Sequence, residues 1–238
     1  MARYEGYELG YQASAAQAVA SERAAFVRRV YGHLAGAVLA LVAVTALLVN
    51  VVPLDVVQMM FGNNMGRLLT FVLFIGAGFV ARMWAQSQTS VAMQYAGLAL
   101  YVCAWAVIFL PVVVVANIRF PGVLQEAGIL TGAVFGGLTL SVFVTRKDYS
   151  FLGPVLSVAT FIALGVILCA MLFGFSLGLL FCFAMVALIS GYILYDTSNV
   201  MLHYPTNMHV AASLELLADV ALLFLYIVQI LMSSNSRD

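Results

Sequence analysis

The sequence predicts an all-α integral membrane protein with seven transmembrane helices. Three observations carry that reading. Hydrophobic residues fill 64% of the 238 positions and charged residues only 8%, against about 25% charge in soluble domains. Mean hydropathy is +1.07, too apolar for a water-soluble fold of this length. The apolar residues also gather into seven runs of roughly 20, the length that crosses a hydrocarbon core of about 30 Å.

The runs, in order, are Val30–Val52, Leu68–Trp84, Met93–Val115, Gly128–Thr145, Leu152–Phe173, Leu177–Val200 and Ala211–Met232. The first ends at Pro53 with no small-residue cleavage site, so it reads as a retained helix and not as a signal peptide. The second is short and needs tilt or extension into its flanks. The third contains Pro111, which predicts a kink or an end. Only Gly174-Phe175-Ser176 parts the fifth from the sixth, which predicts a tight antiparallel hairpin. The domain division is a polar tail over residues 1–29, a membrane bundle over 30–232 and a short end over 233–238.

Ten basic and ten acidic residues cancel, and no Lys/Arg block appears, so nucleic acid is not an expected partner. Arg23, Arg28, Arg29, Arg82, Arg146 and Lys147 fall on one side of the expected membrane, and Arg67, Arg119 and Arg237 on the other. That bias predicts a cytoplasmic amino terminus and an external carboxyl terminus. The three cysteines, Cys103, Cys169 and Cys182, lie inside apolar runs and read as buried hydrophobes. Gly128, Gly132 and Gly136, and likewise Gly32 and Gly36, repeat every four residues and predict close helix contacts.

Against this background two acids stand out. Asp196 closes the sixth run and Asp219 lies inside the seventh. A charge at the bilayer centre costs about 2.5–3.5 kcal/mol on insertion scales, so such groups are paired or functional. The midpoint between them falls between Asn207 and Met208, in the connecting loop. At 1.5 Å per residue both should sit at similar depth, roughly 8–15 Å in from the loop end. Two such carboxylates do not readily ionise together and titrate as a unit. Protonated, they can share a hydrogen bond; deprotonated, they repel or recruit a hard cation such as Ca²⁺. The alternative is structural: Asp196 satisfied by Arg82 or by nearby hydroxyls. Glu215, one turn before Asp219, either widens the site or is a solvated residue near the helix start. His203 and His209 read as solvent-facing loop residues, and His33 as a polar contact near the interface.

The stretch Gly191-Tyr192-Ile193-Leu194-Tyr195-Asp196-Thr197 resembles the sixth-helix signature of the Bax inhibitor-1 family, specifically its bacterial members. Leu216-Leu217-Ala218-Asp219, followed by the run from Leu223 to Leu231, resembles its seventh helix. The resemblance spans residues 26–232 and implies six helices surrounding a central seventh. It also implies a pH-sensitive calcium leak with its aspartate pair at Asp196 and Asp219, and an arginine latch for which Arg82 is the candidate. Ca²⁺ is then a transported or sensed ion, with no tightly bound cofactor, and the partners are the bilayer, calcium and protons. The expected location is a bacterial inner membrane. Two positions depart from the family pattern: Leu222 stands where an asparagine is common, and Glu215 adds a carboxylate.

Other classes fit less well. An intramembrane aspartyl protease shares Tyr195-Asp196, but its second aspartate follows Gly-x-Gly, whereas Leu216, Leu217 and Ala218 precede Asp219 here. A retinal-binding protein needs a lysine in the last helix, and Lys147 lies in a loop. No enzyme activity is expected. The competing function, which the resemblance to bacterial members of the family implies, is a regulator of a membrane-anchored AAA protease, acting through the polar amino tail.

Overall fold

The structure is a computed structural model that describes residues 14–15, 20–87 and 90–236. Seven of its helices are long and apolar enough to span a membrane. They are α1 (Ala20–Val51), α3 (Asn64–Ala85), α4 (Val91–Arg119), α5 (Val123–Thr145), α6 (Gly153–Phe173), α7 (Gly178–Leu202) and α8 (His209–Asn235). The eighth helix, α2 (Leu54–Phe61), has 8 residues, about 12 Å at 1.5 Å per residue, and cannot cross.

α1 begins at Ala20, so residues 20–29 of the expected polar tail are helical and carry Arg23, Arg28 and Arg29 on the first span. The rest of that tail, apart from Ser14 and Ala15, lies outside the described residues, as do Arg237 and Asp238. The early start follows from Phe26, Val30, Leu34, Ala37 and Leu41, all buried at helical spacing. The hydropathy run picks up this face only from Val30, because Arg23, Arg28 and Arg29 surround Phe26 in the first turns. α2 escapes the same reading because eight residues after Pro53 look like a loop. α3 does extend into its flanks: the Asn63 side chain accepts from the Gly66 N–H at 2.7 Å and caps the helix.

Pro111 does not end the third span; α4 runs on to Arg119. Proline removes one backbone donor, and neighbouring helices in a membrane bundle tolerate that loss. Gly174, with φ +75, closes α6 in the left-handed conformation and opens the short link to α7.

α8 is the centre of the bundle. Half of its most apolar stretch is buried, against 17–39% for the other spans. α1, α3, α4, α5 and α7 pack on it, while α6 packs on α3 and α7. One apolar core forms where α1, α3 and α4 meet α8, around Trp105 and Leu217. A second forms where α5 and α7 meet it, around Ile193 and Leu223, with Ala163 of α6 joining.

The repeated glycines do not make the close contacts expected of them. A Cβ at Gly32, Gly36, Gly128, Gly132 or Gly136 would meet nothing within 4 Å. The tight crossing is elsewhere: a Cβ at Gly97 would lie 2.5 Å from the Ala81 carbonyl oxygen and 2.7 Å from the Ala85 nitrogen. A four-residue repeat marks a stripe without saying which way the stripe faces. Cys103 and Cys169 also correct their reading, since both are exposed on the bundle's outer surface; only Cys182 is buried.

Candidate functional site

The residues around the sixth-span signature mostly have structural work. Gly191 leaves room for Leu156 of α6, whose Cδ2 would lie 2.8 Å from a Cβ there. The Tyr192 and Thr160 hydroxyls are 2.8 Å apart, tying α7 to α6. Ser198 Oγ donates to the Tyr195 carbonyl at 2.9 Å and accepts from the Tyr149 N–H at 3.2 Å. On α8, Ser213 Oγ reaches the Val30 carbonyl at 2.9 Å and fastens the central helix to α1.

With the helices fixed in this way, Asp196 of α7 and Asp219 of α8 lie close enough to act on each other. Asp219 is only 5% exposed, and its Oδ2 is buried without a hydrogen-bond partner. Asp196 is half-buried, with the Asn199 side chain in reach. Glu215 adds a third carboxylate whose charge acts on both.

Arg82, at the end of α3, is the cation that faces this group. It pairs with Glu215: Nη2 lies 3.0 Å and Nε 3.1 Å from Oε2. Its guanidinium carbon sits 5.7 Å from the centre of the Tyr101 ring, within cation–π range. Arg82 therefore reaches Asp196 through charge alone, and its direct partner is the extra acid, Glu215. Glu215 is accordingly an ion-paired residue on the second turn of α8, not a solvated residue at the helix start.

Three buried hydroxyls continue the polar interior past the acids. Tyr31 of α1 lies against Thr139 of α5 and Thr197 of α7, and its ring feels the charge of Asp219. The oxygens of all three are buried without a closed hydrogen bond. The sequence did not reveal this group, because its members come from three distant helices. Thr197, next to Asp196, was the one available signal.

Beyond the acids, toward the far end of α7 and α8, the interior is apolar. Ile189, Ile193 and Leu223 are 2%, 0% and 0% exposed. Past them a cavity of about 440 Å³ opens at that end, with Arg67, Cys182 and Gln229 among its lining. At the near end, Ser14 and Ala15 touch the α7–α8 loop. The Ala15 N–H donates to the Tyr204 carbonyl at 2.9 Å, and Ser14 pairs antiparallel with Pro205. Burial, then the charges of Glu215 and Asp196, raise the Tyr204 phenol above its ordinary range.

The histidines divide. His203 is exposed, 3.4 Å from Asp148. His209 is half-buried, its ring 4.8 Å from that of His33, which in turn bonds Tyr95 at 2.7 Å. Asp148 lies outside the spans. The Ser150 backbone N–H, with help from the Ser150 side chain and His203, holds its carboxyl below the usual range. Among the described residues, no three His, Cys, Asp or Glu side chains gather in a way that could hold a metal ion. The acid pair would thus depend on water for most of a calcium ion's six to eight oxygens.

Comparison with known proteins agrees with this architecture. Residues 23–236 match the family model described as "Inhibitor of apoptosis-promoting Bax1". Protein LIFEGUARD 3 of Arabidopsis thaliana is 31% identical over 220 residues, covering 87% of this chain and 83% of that protein. LIFEGUARD 4 of the same plant is 29% identical over 219 residues, with 86% and 83% coverage. An uncharacterized protein of Pseudomonas aeruginosa is 32% identical over 117 residues, 49% of this chain and 52% of its own. With a family match over nearly the whole bundle and seven membrane-length helices around the acid pair, the chain belongs to the Bax inhibitor-1 family of integral membrane proteins.

Proposed function

We propose that this protein is a pH-sensitive cation leak, carrying calcium, gated at the Asp196–Asp219 pair. The observation that carries the reading is a charge imbalance in the bundle interior. Three carboxyl groups, Asp196, Asp219 and Glu215, face one guanidinium, and Arg82 is already bound to Glu215. Two buried carboxylates at close range cannot both stay charged without a counter-ion. Their neutralising partner is either a shared proton or a cation from solution, and competition between the two gives a pH-dependent flux.

The two-carboxylate site supports weak, exchangeable binding, which a leak requires because an ion must also leave. Ile189, Ile193 and Leu223 form the closed gate in this reading, an apolar constriction between the acids and the far cavity. The chain acts without enzyme chemistry or a tightly bound cofactor. It sits in a bacterial inner membrane with its amino terminus in the cytoplasm, so the acids lie nearer the cytoplasmic face.

The test is calcium uptake by purified protein in liposomes from about pH 6 to 8. Uptake with a pH dependence that is lost in both Asp196→Asn and Asp219→Asn supports the proposal. No uptake at any pH, or an unchanged pH profile in both variants, refutes it. A second reading, regulation of a membrane-anchored protease through the amino tail, draws on the contact of Ser14 and Ala15 with Tyr204 and Pro205. Deleting residues 1–19 would then change the lifetime of another membrane protein while leaving flux intact.

A further inference from the structure

A groove of about 640 Å³ runs along the outer surface between α1 and α4. Its lining includes Arg28, Arg29 and Tyr95 at one end and Gly36, Ala40 and Ala99 further along. From residue 28 to residue 40 is about 18 Å of helix, close to half of a ~30 Å hydrocarbon core. The groove exists because Gly32 and Gly36 carry no side chain: a Cβ at either would project into open space.

The basic end is built and uncommitted. Arg28 and Arg29 are exposed, and among the described residues neither has a carboxylate within ion-pair distance. His33 stands between α1 and α4. Its Nδ1 lies 2.7 Å from the Arg29 carbonyl oxygen, which can only accept, so that nitrogen carries the proton. Its Nε2 lies 2.7 Å from the Tyr95 hydroxyl. The two helices are thereby locked at the depth where the arginines point outward.

We propose that this groove is a binding site for an anionic phospholipid, with the phosphate held by Arg28 and Arg29 and one acyl chain lying over Gly32 and Gly36. Charge decides the class of occupant. Two free guanidiniums at the membrane interface match a phosphate bearing net negative charge, and the glycine floor gives a chain a slot that ordinary lipid-facing helices lack. The site is separate from the acid pair and stands whether or not the protein conducts ions.

The test is native mass spectrometry of the full chain in detergent, titrated with phosphatidylglycerol or phosphatidylcholine of identical chains. The wild type should retain one phosphatidylglycerol in preference to phosphatidylcholine. Arg28→Gln with Arg29→Gln should abolish that preference; each arginine lost near an anionic headgroup weakens binding roughly fivefold. Gly32→Leu with Gly36→Leu should reduce retention of both lipids, and the open space at these positions keeps those side chains out of the bundle. Equal retention of the two lipids by the wild type overturns the proposal without recourse to any variant. A preference that survives the double arginine substitution overturns it as well.

Discussion

The pairing of Arg82 with Glu215 makes opposite predictions for removing the two partners. Arg82 Nη2 is 3.0 Å from Glu215 Oε2, and the charge of Arg82 also reaches Asp196. Two unit charges at 4 Å interact by about 4 kcal/mol at an effective dielectric of 20. The side chains are 46% and 23% exposed, and exposed pairs keep only about 0.2–1 kcal/mol after screening and side-chain entropy. In Glu215→Gln the arginine loses its direct partner, and Asp196 is the nearest alternative. If an arginine on Asp196 closes the site, basal calcium flux into liposomes should fall, by up to about fivefold for 1 kcal/mol. Arg82→Gln should raise basal flux by a similar factor, and the double variant should behave like Arg82→Gln, since no cation remains to be redirected. Single variants that move flux in the same direction, or a double variant resembling Glu215→Gln, would refute this division of roles.

Three further outcomes follow from the same geometry. Leu223→Ala, at the apolar constriction beyond the acids, should raise flux while lowering stability by about 2–5 kcal/mol; flux and a detergent melting curve measure the two. Gly97→Ala forces a methyl against the Ala81 and Ala85 backbone, and overpacking of this kind costs about 1–3 kcal/mol. Its melting temperature should drop, while Gly32→Ala, with open space, should melt like the wild type. Asp148 has a depressed carboxyl, so its bond to the Ser150 N–H is fully present above the ordinary carboxylate value near 4 and is lost as pH falls through the lower folded value. Hydrogen exchange at Ser150 should therefore accelerate only below about pH 4, and Asp148→Asn should remove that dependence.

Much of the bundle was legible because hydropathy reports the solvent directly. Each of the seven runs became a span. Rotation about each helix axis was not legible, since in lipid both faces of a span are apolar. Hydropathy alone therefore turns the glycine repeats, Cys103 and Cys169 inward, whereas the structure faces them outward. For the same reason Tyr31, Thr139 and Thr197 escape notice: a hydroxyl on one span says nothing about which other span it meets.

The family signature on α7 gains a physical reading when its residues are separated by task. Gly191 admits Leu156 and Tyr192 bonds Thr160, while Ser198, just after the signature, anchors Tyr149. Each sets the position or rotation of α7 against its neighbours. Ser213 does the same for α8 against α1. These contacts fix the one variable that sequence spacing leaves open, the rotation that turns Asp196 and Asp219 toward each other. Asp196 sits among Asn199 on its own helix, the facing acid on α8 and the charge of Arg82. Under the proposed function, the acid pair would change state while the contacts at Gly191, Tyr192 and Ser213 keep the helices in register.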